Sequence, residues 1–151
     1  MRIGVLSDTH GLLRPEALAA LQGCELIIHA GDIGKPQVLD ALRQIAPLEA
    51  IRGNVDSSEW AQGLPERLDL RIGDVAIHVL HDLKTLNFDP AARGVAVVIA
   101  GHSHKPQIEQ RGGVLYLNPG SAGPRRFKLP ISLAVLHIED GQPRAELVTL
   151  A

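Results

Sequence analysis

The first half of the chain alternates short apolar runs with stretches of helical periodicity. The apolar runs have the length of strands and span Arg2 to Ser7, Glu25 to Ala30 and Leu48 to Arg52. A proline precedes or opens each of the two helical stretches between them, Glu16 to Leu21 and Pro36 to about Ile45. Proline is tolerated in the first turn of a helix, where its missing N–H is not needed. This alternation predicts a βαβαβ unit.

The second half consists of shorter strand patterns that are separated by turn residues. Gly73-Asp74 separates Arg67–Ile72 from Val75–Leu80, which predicts an antiparallel hairpin. A short helix at Asp89–Arg93 leads into a buried strand, Val95–Ala100. Two more hairpins are predicted, Gln107–Gln110 with Val114–Leu117 across Gly112-Gly113, and Ile131–Ile138 with Ala145–Leu150 across Glu139–Gln142. With no repeat or linker in the sequence, residues 1–151 are predicted to form a single α/β domain.

Composition and charge narrow the classes of function. The chain is 45% hydrophobic but only 3% aromatic, so its core is expected to be aliphatic. Its formal net charge is −2, and the cations are dispersed except in Arg125-Arg126-Phe127-Lys128. A long nucleic acid is therefore not an expected partner, whereas a small anionic substrate is compatible with this charge.

The sequence predicts neither a membrane-spanning helix nor a disulfide. The longest uncharged apolar run, Gly94 to Gly101, is far shorter than the roughly 20 residues of a membrane-spanning helix. No apolar signal segment precedes the first strand, so the expected location is the cytoplasm. Cys24 is the only cysteine, which excludes an intramolecular disulfide, and its apolar neighbours predict an inert buried thiol.

Residues that can bind metals follow the predicted strands. Because the carboxyl ends of parallel strands meet at one edge of a sheet, these side chains are expected to converge there. They provide three carboxylate or amide oxygen donors and four imidazoles, more than one open catalytic ion takes. Two ions that share a carboxylate would use all of them. The seven candidate ligands are Asp8, His10, Asp32, Asn54, His81, His102 and His104.

Taken singly, most of these fragments have plainer explanations. Asp8 could cap the turn after its strand, and Asp32 could belong to an ordinary Gly-Asp turn. Asn54 and Asp56 could satisfy backbone groups of their own loop. The segment Gly101-His102-Ser103-His104 is the exception, since two imidazoles one residue apart after a buried strand suit a metal site better than a core.

Together the motifs resemble the calcineurin-like metallophosphoesterases, in particular their small single-domain bacterial and archaeal phosphodiesterase branch. The order and spacing of Asp8-Thr9-His10, Gly31-Asp32, Gly53-Asn54, His81 and Gly101–His104 are similar to those of that family, as is the loop Asn118–Ser121. The resemblance implies a four-layer α/β/β/α sandwich, in which two facing mixed sheets are flanked by helices. It also implies that Asp8, His10 and His104 bind one ion, that Asn54, His81 and His102 bind the other, and that Asp32 bridges them.

The activity implied by this resemblance is hydrolysis of small phosphate diesters by in-line attack of a metal-bound hydroxide. Asp32, as the bridging ligand, and Asn54 are then catalytic as well as ligating. Asn54 suits this role because a neutral amide ligand leaves its ion more electrophilic than a carboxylate would. Manganese is the expected metal, and iron, zinc, cobalt or nickel also suit the mixed nitrogen and oxygen donors. Asn118 and Arg125 are candidate substrate-binding residues, with a structural turn and a solvated charge as the equally weighted alternative.

Two departures from the family pattern keep other functions open. Val55 replaces the histidine that serves many members as proton donor, and His81-Asp82-Leu83 replaces the branch's usual His-Gly-His. The alternatives are a phosphomonoesterase, a nuclease for small nucleotides, or a catalytically weak scaffold that binds metals or proteins. A homo-oligomer is compatible with the sequence. His29 is expected to orient Asp32 from behind, and His78 and His137 are expected to be structural.

Overall fold

The computed structural model describes residues 1–151 and contains two five-stranded mixed sheets. The strands are β1 (Arg2–Leu6), β2 (Leu26–His29), β3 (Leu48–Ala50), β4 (Arg67–Ile72), β5 (Val75–Leu80), β6 (Val97–Ile99), β7 (Gln107–Arg111), β8 (Val114–Asn118), β9 (Ser132–Glu139) and β10 (Gln142–Thr149). The first sheet has the order β10-β9-β1-β2-β3 and the second has the order β4-β5-β6-β8-β7. The pairs β1–β2, β2–β3, β5–β6 and β6–β8 are parallel, and the other pairs within the sheets are antiparallel.

The predicted βαβαβ unit is confirmed. Its two helices are α1 (Pro15–Ala20) and α2 (Pro36–Arg43), and each begins at a proline without a side-chain cap. They pack on the outer face of the first sheet, where Leu21 and Leu42 contact a buried cluster with Ile27 and Val135. Cys24 belongs to this cluster, and burial raises the pKa of its thiol, as expected for an inert cysteine.

The main core lies between the two sheets and is aliphatic, as predicted. Ile3, Val5 and Ile28 of the first sheet contribute to the same cluster as Ile77 and Val97 of the second. Alternation along β1 places Leu6 in the cluster with the helices instead. Gly4 faces the helices as well, where a Cβ would lie 2.3 Å from Leu21 Cδ2, so glycine at this position lets α1 approach the sheet.

The outer face of the second sheet is covered by short 3₁₀ helices rather than α-helices. Leu80, Val95, Val98, Ala100 and Val114 form a third buried cluster there, with Leu86, Phe88 and Tyr116 packed against it. The segments above this sheet are the 3₁₀ helices Leu83–Thr85 and Ala91–Arg93. The predicted fold class, two facing mixed sheets in an α/β protein, is confirmed. Its fourth layer is reduced to these two 3₁₀ helices. None of the helices has the length and apolar character that crossing a membrane requires.

The hairpins follow the prediction except at the end of the chain. The strands on both sides of Gly73-Asp74 are observed as predicted. The last hairpin turns through Asp140-Gly141 alone, both at positive φ, so β10 starts at Gln142 and not at Ala145. Pro143 lies within β10, and this is tolerated because β10 is an edge strand, where a missing N–H costs little.

Candidate metal centre

The structure brings six of the seven predicted ligands together in two clusters beyond the carboxyl ends of the strands, and the seventh, Asn54, lines the adjoining cavity. Asp8 and His10 follow β1, Asp32 follows β2 and Asn54 follows β3, while His81 follows β5 and the remaining two histidines follow β6. Backbone hydrogen bonds join these loops: the N–H groups of Asp8 and His10 donate to the carbonyls of Gly31 and Asp32, each at 2.9 Å. His102, which follows a strand of the second sheet, donates its N–H to Asp8 Oδ2 at 3.0 Å, so the loops of the two sheets meet in one site.

One cluster contains Asp8, His10 and His104, whose ligand atoms lie within 4.8 Å of one another. His104 Nε2 is 3.3 Å from Asp8 Oδ1, and His10 Nε2 is 3.7 Å from the same oxygen. The carboxylate of Asp8 is fully buried. This is the trio that the resemblance assigns to one ion.

A second cluster contains Asp32, His81 and His102, again within 4.8 Å. His81 Nε2 is 3.2 Å from Asp32 Oδ2. His81 Nδ1 lies 2.7 Å from the carbonyl oxygen of Ala30, which can only accept, so Nδ1 has the proton and Nε2 is left for a ligand. Asn54 is exposed and lines a cavity of about 590 Å³ together with His81.

Asp32 lies between the two clusters. Its Oδ2 is 3.2 Å from His81 Nε2 in one cluster and 3.7 Å from His10 Nε2 in the other. Its other oxygen accepts a hydrogen bond from Val55 N at 3.1 Å, which fixes the orientation of the carboxylate. This placement is the one that a bridging ligand needs.

Buried atoms without partners show that the site suits cations. Asp8 Oδ1, His10 Nε2 and His81 Nε2 are buried and have no hydrogen-bond partner. Buried polar atoms are nearly always paired, because an unpaired one loses its hydration without replacement. His10 Nε2 is 3.7 Å from Asp8 Oδ1 and from Asp32 Oδ2, too far for a hydrogen bond, and a metal ion among these atoms would satisfy them together.

The carboxylates of the site are held in the ionised form. Burial alone would raise the pKa of Asp8, but contacts with His10, His104 and Ser7 outweigh it and hold this pKa far below its usual range. Burial likewise opposes ionisation of Asp32, and His81 with the Val55 amide overcomes it and lowers the pKa. Burial would lower the pKa of His81, and its contacts with Asp32 and Ala30 raise it instead. The carboxylates of Asp8 and Asp32 are therefore negatively charged, as metal ligands must be.

Most of the ligand residues adopt a backbone conformation that sequence patterns did not reveal. Asp8, His10, Asp32, His102 and His104 have φ of +56°, +46°, +55°, +68° and +63°. Non-glycine residues rarely enter this left-handed region, and such strain is concentrated at functional sites. Gly53 adds a close approach, since a Cβ there would lie 2.3 Å from Asp32 N.

His29 acts on the backbone beside Asp32 rather than on its carboxylate. Its Nδ1 accepts from Gly31 N at 3.1 Å, so its Nε2 has the proton and donates to Thr9 Oγ1 at 3.0 Å. Thr9 Oγ1 in turn donates to Ile33 O. Burial lowers the pKa of His29 to about 4, which keeps the ring neutral. The first two ligand loops are thereby joined.

Asp56 accepts hydrogen bonds from backbone groups of its own loop, as one interpretation of the sequence had it, and from a second loop as well. Its carboxylate accepts from Gly53 N at 2.9 Å, and also from Ile33 N and Gly34 N at 3.0 Å each. This residue therefore joins the loop after β2 to the loop after β3. The sequence signal was an aspartate two positions after a candidate ligand, but its distant partners could not be inferred from it.

The side chain of Asn118 holds the histidine loop. Its Nδ2 donates to Gly101 O at 3.1 Å and to Ser103 Oγ at 3.0 Å, while its Oδ1 accepts from Gly120 N. Arg125 is exposed and donates to Leu129 O at 3.2 Å. The substrate-binding roles of Asn118 and Arg125 stay predictions.

Comparison with known proteins identifies the family. The profile of the calcineurin-like phosphoesterase superfamily domain matches residues 1–141. The chain belongs to this superfamily. A probable metallophosphoesterase of Methanothermobacter thermautotrophicus is 35% identical over 159 residues, which cover 98% of this chain and 92% of that protein.

Solved structures of other proteins have the same architecture. An archaeal phosphodiesterase superposes with a TM-score of 0.81 at 25% identity, covering 98% of this chain and all of that chain. The zinc complex of Vps29 from Entamoeba histolytica has a TM-score of 0.78 at 23% identity, with both chains fully covered, which shows a shared fold. Membership in the superfamily supports a metal-dependent phosphoesterase at the level of the family, and the two clusters are its candidate metal sites.

Proposed function

We propose that this protein is a phosphodiesterase that uses two divalent metal ions. The supporting observation is the pair of clusters that meet at Asp32, each with buried ligand atoms that lack a partner. Asp8, His10 and His104 would hold one ion, and Asn54, His81 and His102 would hold the other, with Asp32 shared. Manganese is the expected metal, and the mixed nitrogen and oxygen donors also suit iron, zinc, cobalt or nickel.

Two bound cations would polarise the phosphate ester and lower the pKa of water. Residues of the chain hold the candidate ligands in position. Asp32 is oriented by the Val55 amide, and His81 is oriented by the Ala30 carbonyl. The cavity of about 590 Å³ beside Asn54 and His81 has the size of a small-molecule site, which supports a small ester as substrate.

Val55 determines which esters would react well. Its side chain is 50% exposed and has no ionisable group, while its amide is used by Asp32. No proton donor is therefore available at this position for the departing alcohol. Proton donation by a positioned group is typically worth about 10²–10⁴ in rate. We expect diesters of acidic phenols to react readily and diesters of alkanols to react slowly.

The test is a series of aryl and alkyl phosphodiesters, with matched monoesters, assayed with manganese. The wild-type rate should fall steeply as the pKa of the leaving group rises, and Val55→His should flatten this dependence by donating the missing proton. Val55→Leu is the control, because it changes the size of the side chain without adding a proton donor. A wild-type rate that is independent of leaving-group pKa, with chemistry limiting, would contradict this account.

A scaffold that binds metal without turnover is the second candidate. The observation that favours it is Val55 at the usual position of the proton donor, where the side chain has no ionisable group. If the purified protein binds two manganese ions and hydrolyses no ester of the series, the scaffold replaces the enzyme. Faster turnover of monoesters than of matched diesters would instead favour a phosphomonoesterase.

A further inference from the structure

A second cavity lies on the outer face of the second sheet, beside the metal centre. Its volume is about 520 Å³, within the range of small-molecule sites. Its floor consists of outward side chains of the central strands, Val98 from β6 and Tyr116 from β8, with Ala100 just beyond β6. The edge strand β7 and the segment after β5 form its walls. We call this cavity the outer cleft.

The outer cleft adjoins the candidate metal centre. Asp82 lines both the outer cleft and the cavity beside His81, and its Oδ2 is 3.8 Å from His102 Nε2. Gly101 and Ser103, which flank His102, line the outer cleft as well. A molecule whose phosphate lies at the metal centre could therefore extend past Asp82 into the outer cleft.

The lining of the outer cleft suits a flat apolar group. Leu86 and Val98 provide aliphatic contacts, and Tyr116 provides an aromatic surface in a chain with few aromatic residues. The guanidinium carbon of Arg111 is 4.2 Å from the centroid of the Tyr116 ring, which holds the ring in place.

The charges around the outer cleft leave an excess of positive charge. Arg111 Nε lies 3.4 Å from Glu109 Oε1, so these two charges offset each other. Lys84, from the segment after β5, and Lys105, from the segment after β6, both line the outer cleft, and neither forms a salt bridge. Asp82 is the remaining acid, and it accepts a hydrogen bond from the backbone of Lys84. Two cations against one anion favour an anionic ligand.

We infer that the outer cleft binds the organic group that stays on the phosphate when the other group departs. This group is flat and apolar with an additional negative charge, as in an aryl carboxylate. The inference rests on the proposed function for the position of the phosphate. It assigns Lys84 and Lys105 to the charged end of the group and the apolar lining of Leu86, Val98 and Tyr116 to its flat body.

The kinetic test compares two diesters that release the same nitrophenol, 4-nitrophenyl phenyl phosphate and 4-nitrophenyl 4-carboxyphenyl phosphate. The wild type should prefer the carboxylated ester in kcat/KM. In Lys84→Gln/Lys105→Gln this preference should fall about fivefold, because exposed ion pairs are individually weak. The control is Lys128→Gln/Arg144→Gln, which removes the same charge outside the lining of the outer cleft and should keep the preference. All four residues are exposed, so folding should be unaffected.

A binding test separates this inference from the proposed function. Calorimetry with manganese present compares phenylphosphonate with 4-carboxyphenylphosphonate, neither of which can be hydrolysed as an ester. Lysine-dependent binding of the carboxylated probe without turnover of either diester would support the outer cleft and reject the diesterase. Turnover of both diesters with a preference that the lysine variant leaves unchanged would overturn the outer cleft alone. Failure of both turnover and lysine-dependent binding would reject both proposals.

Discussion

At the scale of single residues, the ligands differ from other polar residues of the chain in their backbone. Five of them have positive φ, and the other non-glycine residues with positive φ are Phe127 and Asp140. An L residue in this region brings its Cβ close to its own carbonyl oxygen, at a cost of roughly 1–2 kcal/mol. The metal centre is therefore assembled from residues that would individually favour another conformation.

This strain is measurable at His102, which is 44% exposed and has φ of +68°. His102→Ala removes the imidazole and keeps the strain, whereas His102→Gly removes both. We expect the glycine variant to unfold with a free energy about 1 kcal/mol higher than that of the alanine variant, measured in urea with a chelator present. At Lys105, where φ is not positive, the same pair of variants should show the reverse order. Equal stability of the two His102 variants would show that no strain is stored there.

At the scale of elements, polar residues that are not ligands join the ligand loops in pairs. His29 connects the loops after β1 and β2, and Asp56 connects the loops after β2 and β3. Asn118 fixes the loop after β6 from the end of β8. Each of these residues satisfies backbone groups that would otherwise be buried without partners.

The neutral state of His29 predicts a dependence of stability on pH. Its pKa is about 4 in the folded protein against 6.5 in the unfolded chain, so the unfolded state binds the proton more readily. The contribution is complete above pH 6.5 and is lost as the pH falls toward 4, amounting to about 2 kcal/mol between pH 7.5 and pH 5.

The measurement is the free energy of unfolding at both pH values, with a chelator present so that metal release does not contribute. His29→Gln cannot take up this proton and should lose about 2 kcal/mol less than the wild type over the same interval. If both proteins lose equal stability, His29 is not responsible.

At the scale of the whole molecule, each cluster draws ligands from both sheets. In one cluster, Asp8 and His10 follow a strand of the first sheet and His104 follows a strand of the second. In the other cluster, Asp32 comes from the first sheet, and His81 and His102 come from the second. Bound ions would therefore link the two halves of the sandwich at one edge of the main core.

Metal binding should accordingly stabilise the entire fold. Manganese at 100 times its dissociation constant adds about 2.7 kcal/mol per independent site, or roughly 5–10 °C in Tm for a chain of this size. Asp32→Asn should lose most of this shift because both clusters lose a charged donor. Asp40→Asn, on the exposed face of α2, should keep it. Differential scanning calorimetry with and without manganese tests this, and a full shift in Asp32→Asn would argue against a shared ligand.

The sequence was sufficient to predict the strands of the βαβαβ unit and the convergence of six of the seven candidate ligands, because apolar runs and strand ends determine these features. The sequence was insufficient for features that depend on contacts between residues far apart in the chain. The start of β10 at Gln142 depends on Pro143 being at an edge, which requires knowledge of the sheet order. The reach of Asp56 to Ile33 and Gly34 likewise depends on how loops from different strands meet.

The left-handed backbone of the ligands has a consequence for how this protein can evolve. At each of these five positions, glycine would fit the backbone better than the present aspartate or histidine. Selection for stability alone would thus push all five toward glycine, and only selection for what the side chains bind opposes that drift. In descendants released from that requirement, the site should erode first and toward glycine, while the sheets and their shared core remain.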